Sequence, residues 1–128
     1  MKNRIDKKLK RKKRINRKEM IIGLDAKRAV ANHTGLGNYS RLMVDIQATY
    51  HEGHNYRLFI PKKKKNSSYD KLLTHVNVHS ELPQTTTMKR FSSLWRSFFI
   101  KKDLLKKGVQ LYHGLSNELP IGIHKTGI

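Results

Sequence analysis

The chain has 128 residues, of which 37% are hydrophobic, and its 28 Lys or Arg against 9 Asp or Glu give a net charge of +19 at pH 7. This length suffices for one domain with a modest core, and the charge favours anionic partners such as nucleic acid, anionic lipid or phosphorylated ligands. The absence of cysteine excludes disulfides and cysteine-based metal sites, and no apolar run approaches the ~20 residues that span a bilayer. Since no secretory-type apolar stretch follows the basic N-terminus, we expect a cytoplasmic protein.

The N-terminal segment is strongly basic and almost free of apolar side chains. Residues 2–19 hold 11 Lys or Arg against Asp6 and Glu19, a net +9. Such a segment buries too little apolar surface to offset the entropy of ordering, so a disordered or loosely helical tail is predicted. Met20 directly precedes a strand pattern, which leaves two alternatives open: a genuine basic extension, or a true start at Met20. The predicted organisation is a tail, 1–19, and one truncated domain, 20–128.

The predicted domain opens with a strand and a long helix. The apolar run 21–24 predicts a short buried strand. The polar segment 25–34 then leads to the turn Gly35-Leu36-Gly37, after which Asn38 is a suitable N-cap for a helix. Side chains at helical spacing predict one buried apolar face on that helix, made of Tyr39, Leu42, Met43, Ile46 and Tyr50.

Shorter elements are predicted in the middle of the chain. Residues 56–60 predict a second strand that is stopped by Pro61, and 62–65 form a solvated basic loop. Ser67 or Ser68 would cap a short helix through Leu73, 76–79 predict a third strand, and 83–87 a loop.

The last predicted helix has an i, i+3, i+4 stripe and ends at Gly108, which suits a helix C-terminus. Residues 109–112 then predict a fourth strand, and 125–128 the start of another. The stripe expected to face the core consists of Phe91, Leu94, Trp95, Phe98, Lys102 and Leu105.

The alternation of strands and helices predicts an α/β fold with a parallel sheet and crossover helices. Ligands of such sheets bind beyond the carboxyl ends of the strands. Lys27 and Arg28 follow the first predicted strand, where they could pair with phosphate or acidic groups. The alternative for both is surface solvation, which the basic composition favours.

Two further groups of residues are candidates for ligand binding. Gly35 and Gly37 permit φ > 0 and close approach of a ligand, and a helix N-terminus suits phosphate, although Ser40 replaces the third glycine of G-x-G-x-x-G. The alternative is a flexible turn. After the fourth strand, His113, Ser116 and Asn117 either line a small-molecule site or make a turn. The 7 histidines lack carboxylates at convincing spacing, so no metal site is predicted.

Two long strings carry a resemblance to a known family. IIGLDAKRAVANHTGLGNYSR, residues 21–41, resembles the opening of bacterial family 4 glycosyltransferases of the GT-B fold. SLWRSFFIKKDLLKKGVQLYHGLSNELPIGI, residues 93–123, resembles a helix, strand and loop of the same N-terminal domain, and NYRLFIPK fits the intervening strand. The matches are discontinuous but ordered from about Ile21 to the end.

This resemblance implies retaining transfer of a sugar from a nucleoside-diphosphate sugar to a glycan or lipid-linked acceptor. It implies two Rossmann-like domains with a cleft between them, and it implies no cofactor besides the donor substrate. It places Gly35, Gly37, Asn38 and Tyr39 near the donor diphosphate. It places Lys27, Arg28, His113, Ser116 and Asn117 on the acceptor side or against phosphate.

The chain also departs from the family pattern. The donor-binding elements of a second domain and a histidine motif after the next strand are missing, and the basic tail is not part of the pattern. We therefore expect an incomplete Rossmann-like N-terminal domain without transferase activity of its own. Its charge suggests peripheral binding to an anionic membrane at the inner face, and only non-specific binding of nucleic acid. The alternatives are a small basic nucleic-acid-binding protein or a non-functional remnant.

Overall fold

The computed structural model describes residues 18–84, 91, 94–116 and 118–128. Within these ranges four strands form one sheet in the order β3-β2-β1-β4, and every neighbouring pair is parallel. The α/β class and the parallel sheet predicted from the sequence are therefore confirmed. The predicted tail lies outside the described residues except for its last two. The strands are β1 (Ile21–Asp25), β2 (Asn55–Phe59), β3 (Val78–Glu81) and β4 (Leu111–His113).

Helices connect the strands. After β1 come the short α1 and the long α2, α3 lies between β2 and β3, and a π-helical turn runs directly into α4 before β4. A 3-10 turn, Ile123–Lys125, lies near the end of the chain. The helices are α1 (Lys27–Ala31), α2 (Gly35–Tyr50), α3 (Ser67–Leu72) and α4 (Ile100–Lys106), with the π-helical turn at Trp95–Phe99.

The two faces of the sheet carry separate cores. On one face Leu24 and Leu58 pack with Val30 of α1 and Val44 of α2. On the other face the buried side chains are Phe59, Trp95, Ile100, Leu104 and Val109. Helices thus cover both faces, as the near-continuous apolar strands of a parallel sheet require.

The strand order explains why the helices divide in this way. The chain steps from β1 to β2 to β3 in one direction and then returns to place β4 beside β1. Because crossovers between parallel strands are right-handed, reversing the direction moves the connecting helix to the opposite face. This order is compatible with a Rossmann-like fragment, whose first four strands are arranged in the same way.

The apolar face predicted for α2 is wrong. Tyr39, Leu42, Ile46 and Tyr50 are exposed, and Met43 is partly buried. The residues that α2 buries are smaller or polar: Gly37, Ser40, Arg41, Val44 and Ala48. Small side chains let α2 lie close to α1, so packing distance, rather than side-chain hydrophobicity, selects the buried face.

The stripe predicted for the last helix is also wrong in phase. Trp95 is buried as predicted, but Phe98 and Leu105 are exposed, whereas Ile100 and Leu104 are buried. Trp95 and Ile100 are five residues apart, the spacing of a π-helical turn, which shifts the buried face of everything that follows it. Phe91 and Leu94 are exposed too, and Lys102 is solvent-facing.

Several element boundaries differ from the sequence prediction. The cap of α3 is Asn66, whose Oδ1 accepts from the amides of Ser68 and Tyr69, both at 3.1 Å. Strands β3 and β4 each begin two residues later than predicted. Residues 125–128 form turns rather than a strand. Gly108 does end α4, with φ +68°.

Candidate functional site

A cavity of about 220 Å³ lies at the carboxyl edge of the sheet, between the segments that follow β1 and β4. These are the adjacent strands at which the strand order reverses, the topological switch point of such sheets. We call it the switch-point cavity. Its lining residues are Lys27, Arg28, Ala31, Asn32, Arg96, Ser116 and Glu118.

A buried arginine forms one wall of the switch-point cavity. Arg96 Nη2 donates to Asp25 Oδ2 at 2.7 Å and to Glu118 Oε2 at 2.6 Å. The side chains of Arg96 and Asp25 are 9% and 3% exposed, whereas that of Glu118 is 63% exposed. One guanidinium thus joins a fixed, buried carboxylate to a solvent-facing one.

The alternation of β1 explains how this ion pair arises. Successive residues of a strand face opposite sides, so Gly23 and Asp25 share the face that packs on α4. A Cβ at Gly23 would contact Val109, Leu104 and Tyr112 at 3.0–3.1 Å, which shows how closely that face is packed. Asp25 ends the strand, where it meets Arg96 of the π-helical turn.

Electrostatics and burial act on two groups at this wall, Arg96 and Tyr112. Burial alone would lower the pKa of the Arg96 guanidinium, but the carboxylates of Asp25 and Glu118 raise it overall, so Arg96 stays charged. Burial, with the Asp25 carboxylate, raises the pKa of the neighbouring Tyr112 hydroxyl, which remains neutral. Arg96 is therefore a permanently charged member of the site.

Two buried donors in this region have no acceptor among the described residues. They are Arg96 Nε and the hydroxyl of Ser116, whose residue is 3% exposed. Buried polar groups in native proteins are nearly always paired, because an unpaired one costs about 1–3 kcal/mol. Both donors belong to residues that line the switch-point cavity.

The helix that carries Lys27 and Arg28 is held from two directions. Arg41 Nη1 donates to the carbonyls of Ala29 and Asn32, both at 2.8 Å. The side-chain amide of Asn66 donates to the Val30 carbonyl at 3.1 Å. These bonds satisfy the carbonyl end of α1 and fix its orientation at the cavity. The Lys27 amide also donates to Asp25 Oδ1, at 3.1 Å.

The loop after β4 completes the site. A Cβ at Gly114 would lie 2.3 Å from the carbonyl oxygen of Glu118, so only glycine allows this loop to close. The Ile121 amide donates to the Ser97 carbonyl at 2.9 Å, which ties the loop to the π-helical turn. The loop and Arg96 are therefore positioned together.

The structure brings together three of the predicted site residues, Lys27, Arg28 and Ser116, in the switch-point cavity. His113 ends β4 and is exposed, outside the cavity lining. Asn117 lies outside the described residues.

The glycine turn is not as predicted. Gly35 and Gly37 form the first turn of α2, with Thr34 at the N-cap position instead of Asn38, and neither glycine has positive φ. Position 37 requires glycine because the helix there contacts the Asn32 carbonyl: a Cβ would lie 1.9 Å from that oxygen. Asn38 accepts a hydrogen bond from Arg41, at 2.6 Å, and Tyr39 is exposed. None of these four residues lines the switch-point cavity.

Sequence reasoning missed Arg96, Glu118 and the structural role of Arg41. A signal for Arg96 did exist, since it is a lone charge inside the aromatic run 95–99. Asp25 and Glu118 share one guanidinium, although only 9 residues of the chain are acidic. Because both carboxylates are paired with Arg96, neither stands free as an acid–base pair.

Other features of the described residues add little to the site. These ranges contain no cluster of three or more His, Asp or Glu that could hold a metal ion. In the same ranges, no helix is long and apolar enough to cross a membrane. Comparison of the chain with protein-family models, curated proteins and solved structures finds no match.

Proposed function

We propose that this chain forms the acceptor-side domain of a retaining glycosyltransferase, in which the switch-point cavity holds a phosphate group of the substrate. The enzyme would use a nucleoside-diphosphate sugar as donor and a glycan or lipid-linked molecule as acceptor. The observation that carries the proposal is the convergence of Lys27, Arg28, Arg96 and the unpaired Ser116 hydroxyl at one cavity. The resemblance of 21–41 and 93–123 to family 4 glycosyltransferases supplies the reaction.

The position of the cavity supports a substrate site. Ligands of open parallel sheets bind at the carboxyl ends of the strands where the order reverses, and β1 and β4 flank that point here. The strings that carry the resemblance supply both sides of it, since Lys27 and Arg28 follow β1 and Ser116 follows β4.

The size of the cavity limits what it would hold. Pockets for whole drug-sized ligands measure about 300–1,000 Å³, and this one measures about 220 Å³. It therefore suits one phosphate group with its immediate substituent rather than a complete nucleotide sugar. The remainder of a donor or acceptor would extend beyond it, toward a second domain.

Calorimetric titration of the purified chain with a nucleoside diphosphate and with inorganic pyrophosphate tests the proposal. The double variant Lys27→Ala, Arg28→Ala is expected to weaken binding roughly 10- to 100-fold, the equivalent of one charge-assisted hydrogen bond of about 1.5–3 kcal/mol. The matched control, Lys62→Ala with Lys63→Ala, removes the same charge from an exposed loop and should change affinity less than about threefold. Equal losses in both variants, or no binding by the wild type, would contradict the proposal.

A nucleic-acid-binding protein is the second candidate, favoured by one observation. Lys62, Lys63, Lys64 and Lys65 are all exposed, and the segment before the domain adds further positive charge. Removing residues 1–19 distinguishes the two candidates. A nucleic-acid binder would lose most of its salt-sensitive affinity for an oligonucleotide, whereas nucleoside-diphosphate binding at the switch-point cavity would persist.

The same positive charge underlies our proposal that the protein attaches peripherally to an anionic membrane. Co-sedimentation with anionic vesicles, with neutral vesicles as the control, would test this proposal.

A further inference from the structure

We propose that the Glu118 carboxylate and a phosphate group of the substrate compete for the same position on Arg96. Glu118 occupies this position in the free protein, and the phosphate takes it when it enters the switch-point cavity. The inference rests on the proposed phosphate-binding role of the cavity and adds to it an exchange of partners on Arg96. Neither Arg96 nor Glu118 was among the residues that the sequence indicated.

The two carboxylates on Arg96 differ in how easily they can leave. Asp25 is 3% exposed, belongs to β1, and also accepts from the Lys27 amide, so removing it would leave a buried charge unpaired. Glu118 is 63% exposed and has no other side-chain hydrogen bond within the described part of the chain. Water can solvate the Glu118 carboxylate when it leaves Arg96, so its release costs less than that of Asp25.

The backbone beneath Glu118 supports an exchange that involves the side chain alone. The close approach of Gly114 to the Glu118 carbonyl and the bond from Ile121 to Ser97 hold the loop. The Glu118 side chain can therefore rotate toward solvent while the loop keeps its position. Arg96 also stays in place, because Asp25 retains its bond to Nη2.

The groups left after this exchange match a phosphate. Lys27, Arg28 and Arg96 contribute three positive charges, and Asp25 and Glu118 two negative ones, so the net charge of the site rises from +1 to +2 when Glu118 leaves. A phosphate monoester is close to a dianion at neutral pH. Its oxygens could also accept from Arg96 Nε and the Ser116 hydroxyl, which have no acceptor among the described residues.

Titration of the purified chain with inorganic phosphate tests the exchange through the Glu118→Gln variant. Removing the carboxylate that competes for Arg96 should tighten phosphate binding about two- to fivefold, the equivalent of up to about 1 kcal/mol. The matched control is Glu81→Gln, which removes the same charge from a carboxylate that binds Arg57 and Lys107, outside the cavity lining. Its affinity for phosphate should stay within about 1.5-fold of the wild type.

A second readout follows Arg96 itself. In the wild type, phosphate should shift the nitrogen-15 NMR signal of Arg96 Nε, and Glu118→Gln should reach the same bound signal at lower phosphate concentration. Arg96→Lys keeps the charge next to Asp25 and should bind phosphate at least tenfold more weakly, with a thermal melt to confirm folding. An unchanged Nε signal at saturating phosphate would overturn the exchange.

The outcomes separate this inference from the proposed function. If wild type binds phosphate and Lys27→Ala, Arg28→Ala weakens it, but Glu118→Gln does not tighten it, the exchange is wrong and the phosphate site stands. If neither wild type nor Glu118→Gln binds phosphate, both proposals fail. Parallel titrations with a nucleoside diphosphate and with glycerol 3-phosphate distinguish a donor from an acceptor as the source of the phosphate.

Discussion

Two glycines at the start of α2 illustrate how differently one residue type can act within a single turn. Both were expected to approach a ligand. Gly37 instead approaches the Asn32 carbonyl at the end of α1, while nothing lies within 4 Å of a Cβ built on Gly35. Glycine is required at position 37 because α2 packs there on α1, the helix that carries Lys27 and Arg28. Gly37 therefore supports the position of these two side chains from outside the cavity lining.

We expect Gly37→Ala to destabilise the chain by about 1–3 kcal/mol, because a methyl group 1.9 Å from a backbone oxygen forces α1 and α2 apart. Gly35→Ala is the matched control and should leave the free energy of unfolding unchanged or raise it by up to about 1 kcal/mol, since alanine favours helix. Urea unfolding of both variants measures the difference. Equal stabilities would contradict the packing role of Gly37.

At the scale of elements, the π-helical turn decides which face of α4 meets the sheet. It moves the buried positions to Trp95, Ile100 and Leu104, and it turns Arg96 toward Asp25. The Trp95 indole N–H donates to Asp103 at 2.7 Å, which joins the turn to the helix after it. One inserted residue in the helical ladder thus produces both the second core and the cation of the switch-point cavity.

Two adjacent leucines of α4 test which face of this helix is buried against the sheet. Leu104→Ala should cost about 2–5 kcal/mol, because Leu104 is fully buried against the sheet. Leu105→Ala should change stability by less than about 0.5 kcal/mol, since Leu105 is 54% exposed. Thermal or urea unfolding measures both. A larger loss of stability in Leu105→Ala than in Leu104→Ala would contradict the shift of the buried face and support the unbroken helical stripe predicted from the sequence.

At the scale of the whole molecule, buried tyrosines couple stability to alkaline pH. Burial raises the pKa of Tyr69, which also hydrogen-bonds Ser80 at 2.8 Å, from 10.0 to about 12, and burial raises the pKa of Tyr56 and Tyr112 as well. A hydroxyl that ionises less readily in the folded chain stabilises the fold fully below about pH 10. That contribution is lost as the pH rises from about 10 to about 12.

Tyr69→Phe should therefore reduce the alkaline loss of stability. Between pH 8 and pH 11 the variant should lose about 1.4 kcal/mol less free energy of unfolding than the wild type, which is the linkage contribution reached at pH 11 when folding raises the pKa from 10.0 to about 12. Urea unfolding at the two pH values measures this difference, and lysine titration cancels because it is common to both proteins. Equal losses of unfolding free energy in the variant and the wild type would show that Tyr69 is not responsible for the alkaline loss of stability.

Part of the site could be predicted from sequence because it depends only on order along the chain. Lys27, Arg28 and Ser116 follow strands, and the carboxyl ends of parallel strands meet at one edge, so their convergence follows from the α/β pattern. Arg96 could not be predicted in this way, since it lies 71 residues from Asp25 and reaches it only through the π-helical turn.

The sequence by itself determined the approximate positions of the four described strands along the chain, the α/β class, the exposed basic loop at 62–65 and the end of α4 at Gly108, because each follows from local apolar runs, charge or backbone freedom. Tertiary structure alone decided which faces of α2 and α4 are buried and which carboxylates meet Arg96. Those outcomes depend on close approach between helices and on a one-residue shift in helical phase, and neither leaves a periodic signal in the sequence.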